Sequence, residues 1–211
     1  MKVTLESSTP DPEQVIGKAA GICYGKTDFT EGRVKGVIRN KHLACLRFAY
    51  ANIRIEGLSI GAGRQMVRHK FISGIDEDGF DQNLVDDDHS FLQQSTRYVE
   101  KLNFTYVTPQ TIIDAAGMEQ EYQALMLRSS DVYSLLLEHG VPKEDARNAI
   151  PLGATTEIEA TGNFQAWYDF LYGDAGRLQK GAQWEIRLVA QQVEQLLSEI
   201  FPYGFGEGRV R

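Results

Sequence analysis

Seven acids, Asp76, Glu77, Asp78, Asp81, Asp86, Asp87 and Asp88, fall between Gly74 and Ser90 with no Lys or Arg among them. They interrupt a stretch that is otherwise basic and polar. Before them a helix-like run passes from Gly63 and Gln65 to Arg68, His69, Lys70 and Phe71; after them Phe91-Leu92 leads into Gln93-Gln94-Ser95-Thr96-Arg97-Tyr98. Seven unneutralised carboxylates are too costly to bury, so residues 74–90 are expected to leave the body of the fold as an acidic loop insertion. That loop is open to three readings, a mobile lid, an oligomer contact or a plain solvated loop. A calcium loop is set aside: Asp76-Glu77-Asp78-Gly79 resembles one in passing, but Gly74 stands where the first Asp is needed and no closing Glu follows.

The same segment accounts for the net charge of -7, because without its seven acids 22 acids remain against 22 bases. The body is therefore neutral overall, any anion site must be local, and a broad nucleic-acid surface is not expected. At 211 residues and 42% hydrophobic, the chain can bury one substantial core, and a single domain over 1–211 is expected. It has no apolar run of membrane-spanning length, and Met1 to Glu6 lacks a signal-peptide core, so a soluble cytoplasmic protein with no membrane partner is expected. Cys23 and Cys45 lie in apolar surroundings without metal spacing and read as buried, reduced thiols. No metal site is expected.

Along the chain, Thr9 to Glu13 has the N-cap, proline and acid of a helix start, and the helix runs to about Cys23. Glu31–Arg39 reads as a second short helix. Residues 45 to 56 read as a strand on the alternation of Ile53, Arg54, Ile55 and Glu56, ended by Gly57. A helix from about Ser59 places Gln65 and Arg68 on one face, where they either clamp an anion or form a solvated basic helix end. A long helix over Met118–His139 is expected to bury Tyr122, Leu125, Tyr133, Leu136 and Leu137. A short helix opens at Pro142 and stops at Pro151; a strand over Thr155–Ala160 follows; Asn163 caps a helix over Phe164–Leu171 that buries Trp167, Phe170 and Leu171. The last helix, about Ala182 to Ile200, turns Ile186, Val189, Ala190, Val193, Leu196, Leu197 and Ile200 inward. The order implies an α+β fold, a small antiparallel or mixed sheet with a dominant layer of helices. Neither a Rossmann turn nor a P-loop is present.

Arg68-His69-Lys70 and, beyond the acids, Ser95-Thr96-Arg97-Tyr98 resemble the Arg-His-Arg and Ser-x-Arg-Tyr halves of the flavin-dependent thymidylate synthase signature. The resemblance continues in order through Ala20 to Tyr24, His42, Gln65, Ala146-Arg147 with Pro151, Asn163, and Arg177 followed by Ala182-Gln183-Trp184-Glu185-Ile186. It implies a homotetramer with interfacial sites that binds FAD and dUMP, is reduced by NADPH, and takes a one-carbon unit from 5,10-methylenetetrahydrofolate to make dTMP. It assigns Gln65, Arg68, Gln93, Ser95, Arg97, Arg147 and Arg177 to the uracil nucleotide, and His42, Arg68, His69, Lys70, Asn163 and Gln165 to the cofactor. Arg177 would hold the uracil ring and stabilise it as it becomes electron-rich; Arg97 and Arg147 offer planar donors to phosphate. His42 and His69 are equally readable as structural histidines. No cysteine lies near the signature, which suits a flavin reduction better than a thiol nucleophile.

Departures from the pattern fall mostly on the flavin side. Lys70 replaces an Arg, Gln93 a Glu, Gln165 an Arg and Gly181 a frequent His, while Arg47-Phe48 occupies what is often Glu-His. Point charges and neutral amides are not equivalent to a guanidinium fork, so pyrophosphate binding should be rearranged. Three functions remain open: methylation of dUMP, methylation of UMP or hydroxymethylation with the same machinery, and a nucleotide-binding protein without catalysis.

Overall fold

The structure, a computed structural model, describes residues 1–67 and 89–209, with backbone alone at 89 and 90. Among the described residues, β1 (Lys2–Ser8), β2 (Tyr50–Ser59), β3 (His89–Gln93) and β4 (Thr155–Asn163) form one sheet in the order β1-β2-β4-β3. The helices are α1 (Pro12–Ile22), α2 (Glu31–Arg39), α3 (Ile60–Met66), α4 (Gln110–Ile113), α5 (Met118–Glu138), α6 (Lys143–Ala146), α7 (Phe164–Tyr172) and α8 (Trp184–Ile200). The expected α+β class, a small sheet with dominant helices, is what the chain adopts. Arg68, His69, Lys70 and the acidic segment lie outside the described residues, apart from the start of β3 at its end.

The chain divides into two compact units. The first comprises Met1–Lys2, Glu56–Arg64 and Leu92–Ile158; the second comprises Val3–Ile55, Gln65–Phe91 and Glu159–Arg211. In the second unit, α7 buries Trp167, Phe170 and Leu171 as its spacing predicts. The Trp167 indole donates to the Ala51 carbonyl at 3.1 Å, and the Phe164 ring lies 5.6 Å from that of Phe201 and 5.5 Å from that of Phe205. Removing so large a buried ring costs roughly 3–5 kcal/mol, which makes this aromatic group the anchor of the unit. On α8 the row Ile186, Val189, Ala190, Val193 and Leu197 is buried as expected, while Leu196 and Ile200 are half-buried. Gln183 caps that helix, its Oε1 accepting from the Glu185 and Ile186 amides at 2.9 and 3.1 Å.

In the first unit, Ser59 caps α3: its hydroxyl accepts from the Ala62 amide at 3.0 Å. On α5 Tyr133 is buried as expected and Tyr122, Leu136 and Leu137 are half-buried, but Leu125 is corrected, because it is 56% exposed. The other buried positions are Met126 and Ser130, on the face of Tyr122 and Tyr133. Other expectations also shift. β1 is an edge strand whose weak alternation gave no signal. Residues 43–48 form a 3-10 turn, so β2 starts at Tyr50. Gly57 does not end β2; at φ 75 it lies within the strand, and Leu58 is the next fully buried side chain after Ile55. A left-handed residue of this kind is open to glycine at little cost. His89–Gln93, for which the sequence pattern predicts no element, is strand β3. Cys23 is exposed, whereas Cys45 is buried; the α1 terminus at Ile22 leaves Cys23 just beyond the packed face.

Candidate functional site

The first unit holds a polar cavity of about 670 Å³, within the usual range for a small-molecule site. Arg64 from α3, Gln93 at the end of β3, Gln94, Ser95 and Thr96 just after it, Arg147 and Asn148 after α6, and Thr156 of β4 supply its polar wall. Ile60, Ile150 and Leu152 complete it. Two arginines and no carboxylate among its described lining residues define a site for an anion.

Local structure explains how these groups are held. Arg64 rides on the Ser59-capped helix. Arg147 follows α6 directly, and its Nε donates to the Glu144 carbonyl at 2.9 Å, which orients the guanidinium. The Gln94 amide donates to the Glu157 carbonyl at 2.9 Å, continuing the β-pairing past β3. The Gln93 side-chain amide donates to the Thr156 hydroxyl at 3.3 Å. Behind this wall, Lys101 donates through Nζ to the Gln94 Oε1 and to the Thr155 carbonyl, the latter at 3.1 Å. Burial holds its ammonium below the usual lysine range, partly opposed by Glu157. Ser95 accepts from the Arg97 amide at 3.2 Å.

The second unit holds a different cavity, about 720 Å³, walled by Ile22, Tyr24, Leu43, Phe48 and small side chains. Its polar lining is Lys41, His42 and Gln165, with Cys23 and Cys45 in the wall. Tyr24 and Phe48 are 61% and 60% exposed, so two aromatic faces are open to a flat partner. Burial pushes the Cys45 thiol up to about 11, and the thiol donates to the His42 carbonyl at 3.3 Å. Arg47 Nε donates to the Gln165 Oε1 at 2.9 Å.

Of the residues expected at the nucleotide, Gln93, Ser95 and Arg147 come together on the polar cavity. Arg97 is exposed beside it in sequence, its Nε 3.4 Å from the Glu144 carboxylate. Gln65 and Arg177 belong to the second unit, where the Arg177 Nη2 donates to the Gln65 carbonyl at 3.4 Å. The expected pairing of Gln65 with Arg68 falls partly outside the described residues. Of the cofactor residues, His42 and Gln165 line the apolar cavity. Asn163 caps α7, its Oδ1 accepting from the Ala166 amide at 2.9 Å. Sequence reasoning missed Arg64, Gln94, Thr96, Asn148 and Thr156. Each adjoins a recognised residue or, for Thr156, sits on the buried parity of β4, and that adjacency was the available signal.

The α+β chain thus carries an arginine-lined cavity suited to an anion and an aromatic-walled cavity suited to a flat ring. The sequence matches the family described as Thymidylate synthase complementing protein over residues 4–203. It is 31% identical over 215 residues to a flavin-dependent thymidylate synthase of Geobacter sulfurreducens, covering 96% of this chain and 84% of the relative. A relative of the same description from Sulfurisphaera tokodaii is 30% identical, covering 96% of this chain and 75% of its own. Among solved structures, a UMP/dUMP methylase, PolB from Streptomyces cacaoi bound with 5-Br dUMP, has the same fold, with a TM-score of 0.75 at 21% identity and coverage of 95% and 91% of the two chains. The chain belongs to the flavin-dependent thymidylate synthase family and is a methyltransferase-like enzyme of that kind.

Proposed function

We propose that this enzyme methylates C5 of the uracil in dUMP to give dTMP, with FAD as cofactor, 5,10-methylenetetrahydrofolate as carbon donor and NADPH as reductant. The observation that carries the reading is the polar cavity, where Ser95 and Arg147, distant in sequence and both part of the family pattern, share a wall with Arg64. Arg64 and Arg147 bind the phosphate, and Ser95 adds a neutral hydrogen bond. The amides of Gln93 and Asn148 suit the sugar hydroxyl and the uracil edge. Arg177, in the second unit, keeps the role that the family pattern gives it, holding a uracil ring and stabilising negative charge as it develops. The second-unit cavity fits a flavin: open aromatic faces for a flat ring, and Lys41 and His42 for its anionic part. When bound, the flavin supplies the reducing equivalents that turn the transferred carbon into a methyl group. His42, Gln165, Asn163 and the signature residues Arg68, His69 and Lys70 belong to this cofactor side of the proposal.

A second reading, turnover of UMP or hydroxymethylation, is favoured by Gln93, where an amide stands in place of the family's carboxylate. The structural relative is itself named for both UMP and dUMP. We read the two compact units as parts of one domain, since β2 and β4 each run through both, and we carry the cytoplasmic homotetramer forward as part of the proposal. Among the described residues, no helix is long and apolar enough to cross a membrane. The test is direct: protein reconstituted with FAD should show a flavin spectrum and release dTMP from dUMP, folate donor and NADPH. Greater turnover of UMP selects the second reading. Binding of dUMP with no flavin absorbance and no turnover overturns both.

A further inference from the structure

We infer that Asn148 reads the sugar of the nucleotide: its side-chain oxygen accepts a hydrogen bond from a pentose hydroxyl in the polar cavity. This rests on the uracil-nucleotide reading above and deepens it, because the family pattern runs from Arg147 to Pro151 without assigning Asn148 a role.

Asn148 stands in the middle of the 3-10 turn Arg147–Ala149 that follows α6, one residue beyond Arg147, and both line the cavity. The turn is held from both ends. Ala146 before it is fully buried. After it the Ile150 amide donates to the Arg147 carbonyl at 3.0 Å, and the Leu152 carbonyl accepts from the Gly61 amide at 3.0 Å, which ties the segment to the helix that carries Arg64. Within the turn the two neighbouring side chains fold back in the same way. Arg147 donates through Nε to the Glu144 carbonyl, and Asn148 donates through Nδ2 to the Asp145 carbonyl at 2.9 Å. A backbone carbonyl only accepts, so this bond fixes which end of the carboxamide faces the backbone. The other end, Oδ1, receives no hydrogen bond from the described residues, and it is the end left for a ligand.

The charge of the wall narrows what that ligand group is. Among the described lining residues are two arginines and no carboxylate. Beside a bound phosphate a carboxylate would repel, whereas a carboxamide oxygen accepts without charge. Its natural partner is a neutral donor. A uracil nucleotide has such donors at its sugar hydroxyls and at the ring N–H, and the sugar lies between phosphate and ring, so the residue next to a phosphate-binding arginine meets the sugar first. Gln93 supplies a second oxygen of this kind from the end of β3, since its amide N–H donates to Thr156. Two uncharged acceptors on different elements thus stand in place of the single carboxylate of the family pattern, and they suit a hydroxyl-bearing pentose.

The test is calorimetric titration of the full chain with dUMP, UMP and dideoxyuridine monophosphate, which keeps ring and phosphate but lacks both sugar hydroxyls. Wild-type protein should bind at least one of the two hydroxyl-bearing nucleotides about threefold to tenfold more tightly than the dideoxy compound. Asn148→Ala should remove most of that preference and leave the dideoxy affinity unchanged. Asn148→Leu, which keeps the volume without the oxygen, should do the same. Loss confined to UMP assigns the contact to the 2′-hydroxyl, and equal loss for UMP and dUMP assigns it to the 3′-hydroxyl; both support the proposal. A wild-type chain that binds all three alike overturns it, as do variants that keep the wild-type preference or weaken the three ligands equally. In each of those cases dUMP is still bound by the wild-type chain and the nucleotide reading stands. A wild-type chain that binds none of the three sinks that reading and this inference together.

Discussion

The two cavities are nearly equal in size, about 670 Å³ in the first unit and 720 Å³ in the second, yet their walls have opposite chemistry. The first is built from arginines, amides and hydroxyls on rigid elements; the second is built from aromatic and aliphatic side chains with basic groups at one side. A polar wall discriminates by leaving hydrogen-bonding groups unpaired in the wrong ligand, whereas an apolar wall accepts any flat surface of suitable size. Substrate choice should therefore reside in the first unit and ring binding in the second, and each can be damaged without the other.

The largest effect should come from Arg177→Ala, in the second unit: on the role proposed for it, the loss should lower kcat by about 10²–10³ while flavin affinity and thermal stability stay near wild type. Unchanged dUMP turnover would remove Arg177 from the site. Arg147→Ala should come next, weakening dUMP by about 2–3 kcal/mol, on the order of 100-fold, again with FAD titration unaffected. Equal loss for deoxyuridine, which lacks the phosphate, would show that Arg147 does not read that group.

The apolar cavity can be tested through pH. Cys45 is pushed from 9.0 up to about 11 by burial, so the folded state retains a proton that the unfolded chain releases. Its contribution is fully present below pH 9 and is lost as pH rises through about 11, on the order of 2 kcal/mol. Urea midpoints across that window should fall, and Cys45→Ala should flatten the part due to the thiol; an identical slope in the variant would assign the loss elsewhere. The smallest effect belongs to Gln93→Glu. Placing a partly exposed carboxylate beside Thr156 should shift the ratio of dUMP to UMP turnover toward dUMP about two- to fivefold. No change in that ratio would clear Gln93 of a part in sugar selection.

The same contrast explains what was legible in the sequence. Helices α2, α7 and α8 announced themselves through their apolar periods, and at α7 the Asn163 cap agreed with the period, its side chain accepting from the Ala166 amide; the Thr30 cap of α2 emerged only in the structure. Ser95, Arg147 and Gln93 were recognisable because they belong to an ordered pattern extending over most of the chain. The rest of the polar wall was not. Asn148 and Thr156 contribute through strand pairing and loop geometry that a linear reading does not contain, and Arg64 was overlooked beside the better-known Gln65. Cys23 was misjudged because an apolar neighbourhood in sequence does not require burial at a helix end. In α5 Tyr133 was placed correctly, but the exposed Leu125 was mistaken for core.

Lys101 touches the polar cavity only through Gln94, and that is enough to give the wall a polarity. An unconstrained carboxamide can present either end to a ligand. With its oxygen engaged by a half-buried ammonium, Gln94 has chiefly its N–H group left to offer. A neutral side chain thereby becomes a committed donor, and the cavity gains a preference for acceptors from a cation that is not among its described lining residues. Because burial already lowers the proton affinity of Lys101, that commitment should be the first property of the wall to weaken as the solution becomes alkaline.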